Sequence, residues 1–135
     1  MSSGQILEQV SFYMINKAFF GKNNCLKITL NQQNECYFHF GLAGKDNQWA
    51  WKKIKFNDAE LGLMLLVLKN QKKSVAFFHS FNGKKTQIWM NRDNEFVFLK
   101  IKEMSKSLTE GEQEVLKILI EQIIIKMNNE HSTKN

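Results

Sequence analysis

Segments of seven to nine residues with alternating apolar and polar side chains follow one another in two groups, and each group closes on a longer apolar stretch opened by a helix cap. A period of two belongs to strands, whereas a helix needs a period near 3.6. This pattern excludes an all-helical bundle. It predicts an α+β chain: two strand-strand-strand-helix units forming antiparallel sheets packed on helices, with an extra N-terminal helix.

The N-terminal helix is expected over residues 5–20, with Ile6, Val10, Tyr13 and Met14 on one side and Gly21 ending it. Cys25–Asn31, Glu35–Leu42 and Gln48–Phe56 read as the first three strands, separated by turns at Asn31–Asn34 and Gly44–Asn47. Asn57, with Glu60 three residues on, caps a helix to about Lys69 that is apolar almost all round and should be buried. Ser74–Phe81, Lys84–Met90 and Glu95–Lys102 repeat the strand pattern. Asn82-Gly83 is a two-residue hairpin signal, because both central positions of that turn need positive φ. Thr109 and Glu112 form a capping box for a last helix reaching about Met127. One domain over residues 1–127 with a polar tail over 128–135 follows.

Short matches support a duplication. Lys53-Ile54-Lys55 and Lys100-Ile101-Lys102 each precede a helix, Phe38-His39 matches Phe78-His79, and Gly44-Lys45 matches Gly83-Lys84.

Charge narrows the function. The 135 residues carry a formal +6, but from residue 103 onward four lysines stand against six glutamates, so the first 102 residues carry +8. Such a body favours polyanions, nucleic acid before anionic membrane. No apolar run approaches the roughly 20 residues of a membrane helix, and no secretory signal is seen. Cys25 and Cys36 are too few for a disulfide framework, so an intracellular site (cytoplasmic, nucleoid or nuclear, not secreted) is expected.

Placing side chains on strand faces gives the candidate site. Trp49, Trp51, Lys53 and Lys55 point one way, while Ala50, Ile54 and Phe56 point the other with Lys52 as an exception that must snorkel. Phe96, Phe98, Lys100 and Lys102 repeat that line of two aromatics and two lysines. If the aliphatic sides meet the core, Tyr37, His39, Lys85, Gln87 and Trp89 join the outer face, and the repeat match adds Phe77 and His79. Lys45 and Arg92, in turns, complete the basic set. The simpler explanation is that Trp and Phe are strand formers, covered by the N-terminal helix or a partner subunit. The alternative is a single-stranded nucleic-acid platform, on which unpaired bases stack at roughly 1–3 kcal/mol each while lysines neutralise phosphates. Duplex DNA, with its bases already stacked, fits less well.

No nucleotide-binding loop, zincin or nucleophile-elbow motif occurs. Cys36 and His39 have metal-like spacing but point to opposite faces of a strand, so neither a metal nor a cofactor is expected. Asp58, Glu60 and the Glu110/Glu112/Glu114 cluster suit helix N-termini. An enzyme is not expected. The last helix has a second apolar stripe of Val115, Ile118 and Ile125, which needs either the N-terminal helix or a second subunit to cover it, a symmetric homodimer being the commonest solution.

Strand-rich halves ending in a helix, with basic-aromatic sheets, resemble the Whirly-type single-stranded DNA-binding fold, which includes plant Whirly proteins, transcriptional positive cofactor four coactivators and archaeal ThermoDBP-like proteins. Ser107-Leu108-Thr109 followed by Glu112-Gln113 and Leu116 is similar to the start of the coactivator helix, apart from an insertion at Glu110-Gly111, and Gln87-Ile88-Trp89-Met90-Asn91 is similar to its aromatic strand. The likeness spans residues 25–127 in architecture and about a dozen residues in motif. The Lys-Gly-Lys-Ala-Ala-Leu signature of plant Whirly proteins is missing, so their higher assembly does not carry over. The resemblance implies single-stranded DNA or RNA binding by sheet aromatics and lysines, with helices used for packing and dimerisation. An RNA-binding module or a protein-interaction subunit of a replication or transcription complex is the alternative; membrane-surface binding is disfavoured because the basic residues cluster on strands.

Overall fold

The computed structural model describes residues 13–133. Among them run β1 (Tyr13–Phe20), β2 (Asn24–Asn31), β3 (Cys36–Ala43), a 3-10 turn (Lys45–Asn47), β4 (Trp49–Phe56) and α1 (Asp58–Leu68). The second half follows as β5 (Ser74–Phe81), β6 (Lys84–Asp93), β7 (Phe96–Ile101), β8 (Met104–Leu108) and α2 (Glu110–Thr133). Strand order is β1-β2-β3-β4 in one sheet and β5-β6-β7-β8 in the other, both antiparallel.

The repeating unit is thus four strands and a helix, not three strands and a helix. Tyr13–Phe20, expected as the end of a helix, is a strand paired along β2, with Ile15, Lys17 and Phe19 opposite the buried Leu30, Ile28 and Leu26. An adjacent strand with unpaired amides and carbonyls decides the conformation here over local pattern. The expected helix over 5–12 lies outside the described residues. β8 escaped notice because Lys106 sits mid-strand between inward Met104 and Leu108; its ammonium is buried, donating to the Ser107 carbonyl at 2.6 Å with Glu112 at 3.8 Å. α2 continues through Thr133, so residues 128–133 extend the helix rather than form a tail.

The duplication lies in the chain path, not in the short matches. Lys53-Ile54-Lys55 is on β4 whereas Lys100-Ile101-Lys102 ends β7, and Phe38 is on β3 whereas Phe78 is on β5. Gly44-Lys45 joins β3 to β4, but Gly83-Lys84 joins β5 to β6.

Both helix starts are capped as their sequences require. Asn57 accepts from the Glu60 amide at 2.8 Å and Glu60 accepts from the Asn57 amide at 3.0 Å. Thr109 and Glu112 make the same reciprocal pair. Asn82 and Gly83 both have positive φ (50° and 78°), as a tight hairpin needs.

One core unites the halves. Leu26, Ile28, Phe38 and Ile54 of the first sheet, Ile88, Met90 and Leu99 of the second, Leu61 and Met64 of α1, and Leu116 and Ile120 of α2 belong to a single buried cluster. Phe56 bridges the sheets, edge-on to Phe38 at 4.9 Å and to Phe77 at 5.5 Å. The core thus fills one side of each sheet. No described helix is long and apolar enough to cross a membrane.

Candidate nucleic-acid interface

The register of the first sheet sets its outer face row by row. Phe20, Cys25, Gly41 and Trp51 lie abreast across β1 to β4; Ala18, Lys27, His39 and Lys53 form the next row; Asn16, Thr29, Tyr37 and Lys55 the third. Trp49 and Trp51, two residues apart on β4, stack with centroids 5.8 Å apart and planes 22° apart. They are 39% and 52% exposed. Alternation on β4 put them there: Ile54 and Phe56 are fully buried, so the odd-numbered positions must face out.

The lysines are held in place. The Lys53 ammonium sits 4.1 Å from the centre of the Tyr37 ring, a cation–π contact that keeps the charge at the surface. Lys55 pairs with Glu35 at 2.9 Å, which raises its pKa, while hydrogen bonds from Asn31 and Lys55 lower that of Glu35. Lys55 is therefore partly neutralised by Glu35. His39, its Nε2 3.0 Å from Thr29 Oγ1, is held down to about 4 by burial and by the charges of Lys27 and Lys53. At neutral pH it is an uncharged ring beside Tyr37.

The second sheet offers a similar outer face. Ala76, Trp89, Lys100 and Ser105 lie abreast, as do Ser74, Asn91, Phe98 and Ser107, with Phe96 opposite Asp93. Phe96 and Phe98 tilt against each other at 6.4 Å with the exposed Lys100 two residues on, while the exposed Lys85 lies opposite Ser80 at the other end of β6. Gln87 and Trp89 are half-buried. Lys45 is exposed in the 3-10 turn.

Four expected positions are elsewhere. Phe77 is 5% exposed and belongs to the core; Phe78, 66% exposed, takes the outward place. His79 also turns inward, with Nε2 2.7 Å from Glu60 Oε2 and its ring against Phe56. A strand with aromatics on both sides gives alternation no sign, and only Val75 indicated the inward register. Arg92 is a structural clamp: its guanidinium donates to the carbonyls of Val67 and Leu68 at the end of α1 and to Gln113 Oε1 of α2. Lys102 lies in the β7–β8 turn at φ 51°, off the strand face.

Residues that sequence reasoning left out complete the picture. Phe20, 72% exposed, borders the row that ends at Trp51 and was hidden by the expected helix. Lys27 stands between Ala18 and His39 on the outer face, as the alternation of its strand already implied. At the seam between the sheets, Lys52 and Lys53 of β4, Lys84 of β6 and Lys102 line an open recess of about 550 Å³ beside Trp51. Hydrogen bonding with Lys102, then burial and the positive charges of Lys102 and Lys84, lower the pKa of Lys52 against the opposing effect of Glu103.

Neither thiol is poised for chemistry: burial raises Cys25 and pushes Cys36 up to about 12. Among the described residues no three His, Cys, Asp or Glu side chains come together to hold a metal ion. The sequence matches no protein-family model, and no curated protein matches it.

Proposed function

We propose that the chain binds single-stranded nucleic acid, DNA in the first instance, with little sequence preference. Bases stack on Trp49, Trp51, Trp89, Phe96 and Phe98, and Lys53 and Lys100 neutralise phosphates between them. The observation that carries this reading is the exposed, mutually stacked Trp49–Trp51 pair among lysines. Large aromatics without a structural reason for exposure mark binding surfaces, and bases present the flat π surface they fit. Resemblance to the Whirly-type fold supports the same reading. Every base has a π face to stack on an aromatic ring, which is the basis for low sequence preference.

Competition among single-stranded DNA, single-stranded RNA and duplex DNA at two salt concentrations tests it. Single strands should win at both, with affinity falling steeply as salt rises. Preference for duplex would reject the stacking platform. Binding that resists salt would favour a protein-interaction surface, and RNA winning over DNA would reassign the ligand.

The proposal includes a homodimer formed through α2. Val115, Ile118 and Ile125 lie exposed along this helix, opposite the Leu116–Ile120–Ile123 stripe that fills the core. Sedimentation should give a dimer that Ile118→Lys converts to a monomer; a native monomer would reject it.

A further inference from the structure

Resting on the single-strand reading, we infer that the lysine recess at the seam of the two sheets seats the phosphate monoester at an end of the strand. The sheet faces carry their lysines spaced among aromatics, an arrangement suited to phosphodiesters of one charge each. The recess is different. Lys52, Lys84 and Lys102 line it from both halves of the chain, alongside Lys53, whose ammonium lies over Tyr37, and no Asp or Glu is among its lining residues. A phosphate monoester carries nearly two negative charges at neutral pH and three strong acceptor oxygens. It therefore gains more than a diester does from several lysine donors lining one recess.

The backbone points the same way. Among the described residues seven non-glycine residues have positive φ, and six of them are Asn or Asp, the types that tolerate it; Lys102 is the seventh. A lysine held in a disfavoured conformation next to other lysines works against folding twice, and strain of this kind collects at ligand sites. Hydrogen bonding with Lys102 and then burial, ahead of the charges of Lys102 and Lys84 and against that of Glu103, lower the Lys52 pKa, and a bound dianion would offset the repulsive part of this. Trp51 joins the recess to the stacking surface, since it lines the one and stacks with Trp49 in the other. A terminal phosphate in the recess would bring the adjoining base to the Trp51 ring and would give the bound strand a fixed direction.

The test is a fluorescence titration with three oligonucleotides of one sequence, bearing a 5′-phosphate, a 3′-phosphate or hydroxyl ends. One phosphorylated form should bind about tenfold or more tightly than the hydroxyl form, and which one it is gives the direction. Lys52→Gln with Lys84→Gln should erase that advantage and leave hydroxyl-form affinity within about twofold, since neither lysine is on the stacking face. The exposed Lys84→Gln alone, which removes no buried group, should reduce the advantage. Adenosine monophosphate should compete only at concentrations far above those of the phosphorylated oligonucleotide. Equal affinity for all three forms, or an advantage that survives both substitutions, overturns the inference while leaving single-strand binding intact. Competition by adenosine monophosphate at equal concentration would assign the recess to free nucleotides and also overturn it. Failure of the native chain to bind any of the three rejects the stacking platform and this inference together.

Discussion

The benzo ring of Trp51 lies against the backbone of Gly41, its cross-strand partner: a Cβ at Gly41 would stand 2.7 Å from Cζ3 and 2.8 Å from Cη2. Only a residue without a side chain lets the indole settle on the sheet at this point. The glycine thus fixes the attitude of the ring and, through the stack, that of Trp49.

Gly41→Ala should lift the Trp51 ring and weaken single-strand binding, by up to the roughly 1–3 kcal/mol of one stacked base. Tryptophan emission and oligonucleotide affinity should shift together. Gly62→Ala is the control. A Cβ there meets nothing within 4 Å, and its helical position should gain about 0.5–1 kcal/mol of stability with binding unchanged.

Arg92 holds helix ends rather than phosphates. Arg92→Met should destabilise the fold by about 1.5–3 kcal/mol, because the carbonyls of Val67 and Leu68 and the Gln113 amide oxygen lose a charged donor. Urea denaturation should report the loss, and the folded variant should bind oligonucleotide with native affinity.

Acid should expose His39. Folded, its pKa is held to about 4 by burial and then by Lys27 and Lys53; unfolded, it returns to 6.5. Between these values the unfolded chain binds the additional proton, so stability falls as pH drops from 6.5 towards 4 and His39 contributes no pH dependence above that window. His39→Gln should flatten the urea midpoint across that window. An unchanged slope would mean that the ring is protonated in the fold.

Lys102→Asn should separate folding from binding. Asparagine accepts φ 51° more readily than lysine, and the substitution removes a positive charge beside Lys52. Stability should rise by up to about 1 kcal/mol, read as an increase in melting temperature, while the advantage of a phosphorylated strand end declines.

Much of this molecule can be read from its sequence where burial imposes alternation. β2, β3, β4, β6 and β7, the Asn82-Gly83 hairpin and both capped helices follow from local pattern, and the Trp49/Trp51/Lys53 line on the open face follows from Ile54 and Phe56 on the filled one. What escaped depends on contacts distant in sequence. Tyr13–Phe20 is a strand because β2 lies beside it, and β8 is obscured by a buried lysine whose partner Glu112 lies beyond the strand. Arg92 carries the charge of a nucleic-acid residue but is bonded to the ends of two helices. The recess lysines come from three separate stretches of the chain and meet only when both halves fold. The short motif matches misled because they fall on non-equivalent strands.

The most direct measurement is the affinity of a labelled single-stranded oligonucleotide for the native chain and for Trp51→Ala combined with Phe98→Ala, with circular dichroism as the check on folding. Both rings lie outside the core, so the spectrum should not change. Affinity should fall at least about thirtyfold, the equivalent of two lost stacking partners. Unchanged affinity in a folded double variant would contradict base stacking on these sheets.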